Sequence, residues 1–441
     1  MTNIALVVLD TVRRDIYEEY FDWLPGQYFP NAWSTSHRTP PVHASLFTGL
    51  YGSEAGVTPN SNSLTCNRPV LAELLSQEGY QTTGYSANPY ISEHFNFDKG
   101  FSDFHTTWRL DLLSQDLFNW EEFAVEHKND KVKKYVSALI ECVRSETKTL
   151  PSLRRGLEIK LRDLGVDVGP DDDGAQEVLS FVEQTEFDED EFLFLNLMEA
   201  HEPYGSSQQD SVASTFPTTV ELTFKDHNYT SEEVYDEYKK SVEYLSEMYK
   251  KIFSSLKKDF DVIITCSDHG ELFNKNGVWG HFHGVDPELC NVPLQIYQGN
   301  ESNSIINDSV SLLDVYTTIL KLADIEKDFG RGSNLLSQDF EASNRLVECR
   351  GISEERVNQV KHDAEAVTKT TKFEKQLYGA SIPPNSYAYE HINGFELLGE
   401  VSQEESKQII NNLVSELDAS IDKNETIPTD VQEHLKDLGY V

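Results

Sequence analysis

Three apolar stretches of this chain are each followed by acidic or histidine side chains, and this arrangement most constrains its fold. The stretches are "IALVVLD" from residue 4, "FLFLNLMEAH" from residue 192 and "DVIITCSDHG" from residue 261. Continuous apolar runs of this length are typical of parallel strands that are buried on both faces of a sheet. Ligands of open α/β sheets bind beyond the carboxyl ends of the strands. We therefore predict an α/β fold with a functional site at the ends of these strands.

The rest of the pattern predicts a large domain and a smaller one. Helix-period apolar positions predict helices between the strands, for example over residues 231–259. A mostly helical, polar insertion is expected at about residues 105–185, with the acid cluster 171–173 as an exposed loop before a helix. After residue 340 the pattern weakens into short strand-like pieces and helices. We therefore predict a main domain over residues 1–340 and a smaller α+β subdomain over residues 341–441.

The charge of the chain excludes one class of partner. Asp and Glu total 75 and Lys and Arg total 37, which gives a formal net charge of −38. Such a surface repels nucleic acid, so no nucleic-acid partner is expected. A protein with this charge would be soluble at high salt, because dissolved ions screen the repulsion between its own acidic side chains. We therefore expect an acidic, halophilic protein.

Membrane and secretion signals are not found in the sequence. No apolar run approaches the roughly 20 residues of a membrane span, and the N-terminus lacks the basic segment of a signal peptide. We expect no membrane span and a cytoplasmic location. The five cysteines are scattered without CxxC spacing, so neither a disulfide framework nor a thiolate metal site is indicated. The sequence carries no signal for an oligomeric state.

The stretch "STSHRTPPVHASLFTGL", residues 34–50, contains a threonine directly before two prolines. Proline is well tolerated in the first turn of a helix, so we predict a short helix that ends at Gly49 with Thr39 as its N-cap. In one interpretation the Thr39 hydroxyl only caps this helix, which contributes about 1 kcal/mol. In the other, the hydroxyl lies where a helix N-terminus attracts an anion and takes part in chemistry.

A hydroxyl becomes a nucleophile only when a base or a metal ion activates it. Asp10 ends the first apolar stretch, and Asp268 and His269 end the last. Together with the Thr39 oxygen they form a four-ligand set for one divalent ion, and the ligand types allow Ca, Mg, Mn or Zn. Each residue considered by itself has another interpretation: Asp10 could cap the following helix, and His269 could be a hydrogen-bonded residue of a turn.

Six blocks of the chain, in order over residues 1–335, resemble the sulfatase family of the alkaline phosphatase superfamily. They are "NIALVVLDTVRRD", "TPPVHASLFTGLYGSEAGV", "SANPYISEHFNFDKGFSDF", "LFLNLMEAHEPY", "CSDHGELF" and "GHFHGVDPELCNVPL". The resemblance implies a three-layer α/β/α core of the alkaline-phosphatase type with a mostly parallel sheet. It also implies a metal-dependent enzyme that acts on phosphoric or sulfuric esters.

The resemblance also assigns roles to individual residues. Asp10, Asp268 and His269 match the metal ligands of the family, and Thr39 matches the position of its nucleophile. Five further residues match or neighbour other family positions. Asn88 would hold the transferred group, His201 would lie on the leaving-group side, and His281 would contact the anion. His43 stands at the position of a family arginine, and His283 is interpreted as reaching the substrate rather than the metal.

Two departures from the family pattern matter for the chemistry. Sulfatases carry a cysteine at the position of Thr39, which is oxidised to formylglycine, and an arginine at the position of His43. Formylglycine cannot form from threonine, and relatives with a threonine nucleophile act on phosphoesters. Many sulfatases have two adjacent aspartates where this chain has Asp10 followed by Thr11. A second metal site would need an Asp and a His four residues apart, whereas Glu199 and His201 are two residues apart. One metal ion is therefore favoured.

These observations predict a metal-dependent hydrolase or transferase that acts on phosphoric or sulfuric esters through Thr39. Two alternatives stay open: a true sulfuric ester hydrolase, and a catalytically silent anion-binding protein. The expected substrate is an ester of a small molecule, a glycan or a lipid head group.

Overall fold

A computed structural model of the chain describes residues 2–107, 172–204, 217–299, 302–327, 329–353 and 372–419. The strands in chain order are β1 (Ile4–Leu9), β2 (Gln27–Tyr28), β3 (Ala32–Trp33), β4 (Gln81–Ser86), β5 (Asp103–Thr106), β6 (Glu191–Leu197), β7 (Val262–Cys266), β8 (Leu272–Lys275), β9 (Val278–Gly280), β10 (Asn291–Val292), β11 (Leu294–Gln298), β12 (Ser304–Ile305), β13 (Val310–Ser311), β14 (Arg345–Cys349), β15 (Leu377–Ile382), β16 (Ser386–His391) and β17 (Gly394–Leu398).

The large sheet has β1 near its centre, and its order within the described residues is β12-β2-β11-β7-β1-β6-β4-β5. β1 pairs in parallel with β6 and β7, and β4 pairs in parallel with β6 and β5. β11 is antiparallel to β7. All residues of β1 are buried, as expected for a parallel strand covered on both faces. The predicted α/β fold with a mostly parallel sheet is confirmed.

Helices lie on both faces of this sheet. The helices of the described residues, in chain order, are α1 (Arg14–Tyr20), α2 (Thr39–Thr48), α3 (Leu71–Gln77), α4 (Ala175–Gln184), α5 (Thr219–Phe224), α6 (Ser231–Leu256), α7 (Pro287–Cys290), α8 (Leu313–Leu322) and α9 (Gln403–Ser415). Alternate residues of β1 enter different cores: Leu6 and Val8 pack with residues of α2, α3 and α8, whereas Val7 packs with residues of α1, α4 and α6. This arrangement is the predicted three-layer core. Among the described residues, no helix combines the length and apolar character that crossing a membrane requires.

A second, antiparallel sheet of order β14-β15-β16-β17 follows the main sheet in the chain and fits the predicted smaller subdomain. Helix α9 contacts β14, β15 and β16. The buried carboxylate of Glu348 in β14 accepts hydrogen bonds from the backbone N–H and the hydroxyl of Ser53, at 2.9 and 2.8 Å. The small sheet is thus attached to the segment that follows α2. The exact domain boundary stays a prediction.

The predicted insertion lies mostly outside the described residues, which omit 108–171. Its acid cluster was expected to be exposed, but Asp172 and Asp173 are only 4% and 3% exposed. The Asp172 carboxylate accepts hydrogen bonds from the backbone of Gln176 in α4 and from the hydroxyl of Tyr244 in α6. The expectation was wrong because this carboxylate packs between two helices that are distant in sequence.

Gly49 ends α2 in the left-handed conformation, with φ of 67°, as the sequence predicts. A Cβ atom at this position would lie 2.5 Å from Tyr316 Cδ1 and 2.6 Å from Gly330 Cα. We therefore expect Gly49→Ala to lower the free energy of unfolding by about 2–4 kcal/mol, since backbone strain and steric overlap add. Gly277→Ala is the control, because Gly277 has φ of 81° and nothing within 4 Å of its added Cβ. Urea unfolding of both variants measures the difference, and equal losses would contradict the steric part.

Candidate active site

The polar residues that follow the parallel strands converge at one edge of the large sheet. Asp10 directly follows β1, and Asp268 and His269 follow the neighbouring β7. Asn88 follows β4, and β6 lies between β4 and β1 in the sheet. Because β1, β4, β6 and β7 are parallel, their carboxyl ends meet on the same side, as the sequence predicts.

Asp10, Asp268 and His269 form a compact group of possible metal ligands. One ligand atom from each lies within 4.8 Å of the others, and all three side chains are fully buried. Among the described residues, neither Asp10 Oδ1 nor Asp268 Oδ2 has a hydrogen-bond partner. His269 Nδ1 donates to the carbonyl oxygen of Gly270 at 3.0 Å, which leaves Nε2 for a ligand. Unpaired buried carboxylate oxygens beside an oriented imidazole fit a divalent cation.

The protonation equilibria of the three residues support the same conclusion. Burial, followed by the charge of Asp268, raises the pKa of Asp10 to about 8. Burial raises the pKa of Asp268 to about 7 and lowers the pKa of His269 to about 3. The two buried carboxylates repel each other, whereas the imidazole is neutral. A bound divalent cation would compensate both carboxylates and find a neutral nitrogen ligand.

The Thr39 hydroxyl lies at this group. Its oxygen is 3.2 Å from His269 Nε2 and 3.5 Å from Asp10 Oδ2. The predicted N-cap position was wrong by one residue: α2 begins at Thr39, Arg38 precedes it, and no side chain caps the helix. The hydroxyl is therefore not used for capping and remains available for chemistry. Pro40 and Pro41 have no N–H group, so the first turn offers an anion fewer donors than an ordinary helix N-terminus.

Asn88 contacts the predicted metal ligands directly. Its Nδ2 donates to Asp10 Oδ2 at 2.9 Å, and its Oδ1 accepts from the backbone N–H of Tyr90 at 2.9 Å. The amide therefore orients the Asp10 carboxylate. Its predicted contact with the transferred group stays a prediction.

His201 and His281 lie beside the metal ligands. The ring centroid of His281 is 4.5 Å from that of His269 and 5.0 Å from that of His201. His201 Nδ1 is 2.7 Å from the carbonyl oxygen of Glu202, so it donates there and presents its other nitrogen elsewhere. The His281 side chain is 18% exposed, in contrast to the buried ligands. The ring of His281 thus neighbours both His269 and His201, and the predicted roles of His201 and His281 toward a substrate stay predictions.

A comparison with protein-family models shows to which family the chain belongs. A family model described as Sulfatase matches residues 4–325. The chain belongs to the sulfatase family. Among curated proteins, none matches the chain.

Solved structures show that this sulfatase-family chain shares its fold with members of the alkaline phosphatase superfamily. The phosphonate monoester hydrolase SpPMH from Silicibacter pomeroyi has a TM-score of 0.60 and 14% identity, over 94% of each chain. The phosphonate monoester hydrolase of Agrobacterium radiobacter has a TM-score of 0.58 and 15% identity, over 95% of this chain and 92% of its own. A 2-O GAG sulfatase has a TM-score of 0.57 and 13% identity, over 99% of this chain and 90% of its own.

His43, at the position of the family arginine, lies behind Thr39 in the core. Its Nδ1 is 3.0 Å from the carbonyl oxygen of Thr39, and its ring packs edge-on against Phe194 at 5.7 Å. The side chain is fully buried, and burial lowers its pKa to about 3. A neutral imidazole does not supply the charge of the arginine that it replaces. Its substrate-binding role stays a prediction that these contacts do not support.

His283 lies at the junction with the small sheet. Its Nε2 is 2.9 Å from the carbonyl oxygen of Lys375, and its ring packs against Phe373. Burial lowers the pKa of His283, but the negative charge of Cys349 at the end of β14 and a hydrogen bond to it raise the pKa above its ordinary value, since the pKa of Cys349 is itself lowered. These contacts give His283 a packing role, and its reach to a substrate also stays a prediction.

Sequence reasoning missed two buried polar residues next to the candidate metal ligands. Asn196 lies in β6, fully buried, and its amide helps to lower the pKa of Asp10 against the effect of burial. An asparagine within an apolar strand was the available signal. Glu271 follows the ligands Asp268 and His269 and hydrogen-bonds with His281. It stands in the quoted block "CSDHGELF", but its partner is ten residues away.

Proposed function

We propose that this sulfatase-family protein is a metal-dependent hydrolase of phosphoric or phosphonic esters that uses Thr39 as its nucleophile. The observation that carries the proposal is the position of the Thr39 hydroxyl, 3.2 Å from His269 Nε2 and 3.5 Å from Asp10 Oδ2. A threonine cannot become formylglycine, so the reaction must proceed through the alcohol itself. That the fold is shared with two phosphonate monoester hydrolases is in keeping with this substrate class.

The residues of the chain divide the work of the first step. Asp10, Asp268 and His269 would hold a divalent cation, which would supply Lewis-acid chemistry that lowers the pKa of an alcohol and polarises an ester oxygen. The Thr39 hydroxyl gives its proton to solvent, Thr39 Oγ1 forms a bond to the phosphorus atom, and the bond from phosphorus to the leaving oxygen breaks. We assign to His201 the proton that the leaving alcohol takes with it. Asn88 keeps the Asp10 carboxylate oriented through the 2.9 Å hydrogen bond.

The second step releases the group from Thr39. Water gives one proton to His201 as it attacks the phosphorus atom, the bond to Thr39 Oγ1 breaks, and Thr39 Oγ1 takes up a proton from solvent. A second alcohol in place of water would make the protein a transferase. We assign to His281, whose side chain is 18% exposed, contact with the group during this step.

A sulfuric ester hydrolase is the second candidate, and the family match over residues 4–325 favours it. The threonine weighs against it, because a threonyl sulfate lacks the second hydroxyl by which a formylglycine hydrate expels sulfate. Rates of hydrolysis of phosphorus esters and of a sulfate ester decide between these two candidate functions.

The experiment is a panel of nitrophenyl esters: phosphate monoester, phosphate diester, phosphonate monoester and sulfate. Each is tested with EDTA and with Ca²⁺, Mg²⁺, Mn²⁺ or Zn²⁺, at low and at high salt. We expect metal-dependent release of nitrophenol from a phosphorus ester at least about 100-fold faster than from the sulfate, since chemistry at Thr39 suits phosphorus. Faster release from the sulfate would establish the second candidate, and no release from any ester would favour a silent anion-binding protein.

A further inference from the structure

Thr11, which directly follows the candidate metal ligand Asp10, has an unusual backbone conformation. Its φ is 59°, in the left-handed region. A β-branched residue seldom adopts positive φ, because its side chain then crowds the backbone. Thr11 is also fully buried, so its conformation is set by the protein around it. A strained residue persists only where its surroundings hold it, and such residues cluster at functional sites.

All three polar groups of Thr11 form hydrogen bonds. Its N–H donates to Asp268 Oδ1 at 3.2 Å, and its hydroxyl donates to the carbonyl oxygen of Asp10 at 2.7 Å. Its own carbonyl oxygen accepts from the hydroxyl of Tyr238 at 2.8 Å. That hydroxyl also accepts from the backbone N–H of Arg13 at 2.8 Å. Because Tyr238 lies in α6, it attaches the loop after β1 to a long helix.

The conformation of Thr11 connects Tyr238 with a carboxylate of the candidate metal site. The angle φ sets the direction of the N–H group of a residue relative to its C=O group. With another φ, Thr11 could not keep its N–H on Asp268 and its C=O on Tyr238 at once. Since the Thr11 N–H occupies Asp268 Oδ1, the other oxygen, Oδ2, is the one 3.5 Å from His269 Nε2. The left-handed turn thus fixes which carboxylate oxygen faces the ligand group.

We propose that Tyr238 is a positioning residue for the metal site. Its hydroxyl holds Thr11 in the left-handed conformation, and the N–H of Thr11 orients the Asp268 carboxylate toward a divalent cation. The inference rests on the metal-binding part of the proposed function and not on the chemistry at Thr39. Tyr238 touches neither the cation nor the ester and acts only through the loop.

Packing alone does not account for the hydroxyl of Tyr238. Its buried ring packs edge-on against Tyr204 and lies 5.2 Å from the ring of Phe273, and a phenylalanine would keep both contacts. A buried hydroxyl costs free energy unless it is hydrogen-bonded. Both printed partners of this hydroxyl, the C=O of Thr11 and the N–H of Arg13, belong to the loop after β1.

The decisive variant is Tyr238→Phe, which removes the hydroxyl and keeps the ring. Calorimetric titration of the metal-free full chain with Ca²⁺, Mg²⁺, Mn²⁺ and Zn²⁺ gives Kd, and Asp268→Asn gives the binding elsewhere on the protein. We expect the Kd of the ion that wild type binds most tightly to rise about 10–100-fold, as for other groups that orient metal ligands. Tyr249→Phe is the matched control, because this buried tyrosine of α6 bonds with Thr265 at 2.5 Å. Its Kd should stay within about threefold of wild type.

A second substitution tests whether the effect passes through the conformation of residue 11. Glycine adopts positive φ without steric cost, so Thr11→Gly makes the hydroxyl of Tyr238 less necessary. We expect the double variant Thr11→Gly/Tyr238→Phe to bind the ion at least about threefold more tightly than Tyr238→Phe alone. Urea unfolding in EDTA confirms that each variant is folded.

Three results would overturn the proposal: Tyr238→Phe that binds as tightly as Tyr249→Phe, Tyr238→Phe that is unfolded, and a double variant that binds no better than Tyr238→Phe. Wild type without measurable binding would overturn it as well. Wild type that binds the ion but hydrolyses no ester would contradict the proposed function and leave the role of Tyr238 to be decided by the Kd values.

Discussion

Replacing Thr39 by alanine is expected to lower kcat by about 10⁴-fold or more, because the variant loses the atom that attacks the ester. The fold should survive, since the hydroxyl does not cap α2 and lies instead 3.2 Å from His269 Nε2. KM should change much less than kcat. Steady-state hydrolysis of the best nitrophenyl ester measures both constants, with circular dichroism to confirm that the variant is folded.

Two variants control this experiment. Thr39→Ser retains an alcohol at the same place and should keep activity within about tenfold of wild type. Thr48→Ala removes another buried hydroxyl of α2, which donates to the carbonyl oxygen of Ala44 at 2.6 Å and lies at the other end of the helix. It should lose about 1 kcal/mol of stability and little activity. A Thr39→Ala variant that keeps more than about a tenth of wild-type turnover would remove the covalent step.

Asp268→Asn is expected to abolish activity and yet to stabilise the metal-free protein. Asp268 Oδ1 accepts from the backbone N–H groups of Thr11 and His269, so an asparagine keeps its oxygen there and places NH₂ where Oδ2 lay. That NH₂ takes the place of an oxygen 3.5 Å from His269 Nε2, and the substitution removes one of two buried carboxylates. We expect the free energy of unfolding in EDTA to rise by about 1–3 kcal/mol, since burial of two like charges is relieved.

The same variant should lose its response to metal. A ligand present at 100 times its Kd stabilises a folded protein by about 2.7 kcal/mol, so wild type should gain roughly that in a saturating divalent metal. For each metal, thermal unfolding of both proteins with EDTA and with that metal gives the four stabilities that the comparison needs. Asp314→Asn is the control: Asp314 is buried but paired with Arg345 at 3.0 Å, so this variant should be destabilised in every condition. Destabilisation of Asp268→Asn in EDTA, or no metal effect on wild type, would contradict the metal site.

Local patterns were sufficient to predict the strands that build the site. Continuous apolar runs predicted β1, β6 and β7, and the structure pairs them as neighbours. The convergence of Asp10 and Asp268 follows from that pairing, since parallel strands end at the same edge. The stop at Gly49 was likewise readable, because few residues other than glycine adopt positive φ at a helix end.

Features that depend on long-range packing could not be predicted. The burial of Asp172 depends on Tyr244, which is 72 residues away and reaches it only through helix packing. The neutral state of His43 depends on Phe194 and on complete burial. The pairing of Glu271 with Tyr204 depends on a contact across 67 residues. Sequence spacing carries no information about such contacts, whereas the resemblance to a family supplied only the positions that its motifs contain.

The central claim is that Thr39 carries the transferred group during turnover. Acid quenching of the metal-loaded enzyme within the first turnover of a good nitrophenyl ester, followed by peptide mass spectrometry, tests it directly. We predict that the peptide containing Thr39 gains the mass of the transferred group and that fragmentation places this added mass on Thr39. The same peptide of Thr39→Ala should show no added mass. A labelled residue elsewhere in the chain, or an unlabelled peptide during a measured burst of nitrophenol, would contradict the account.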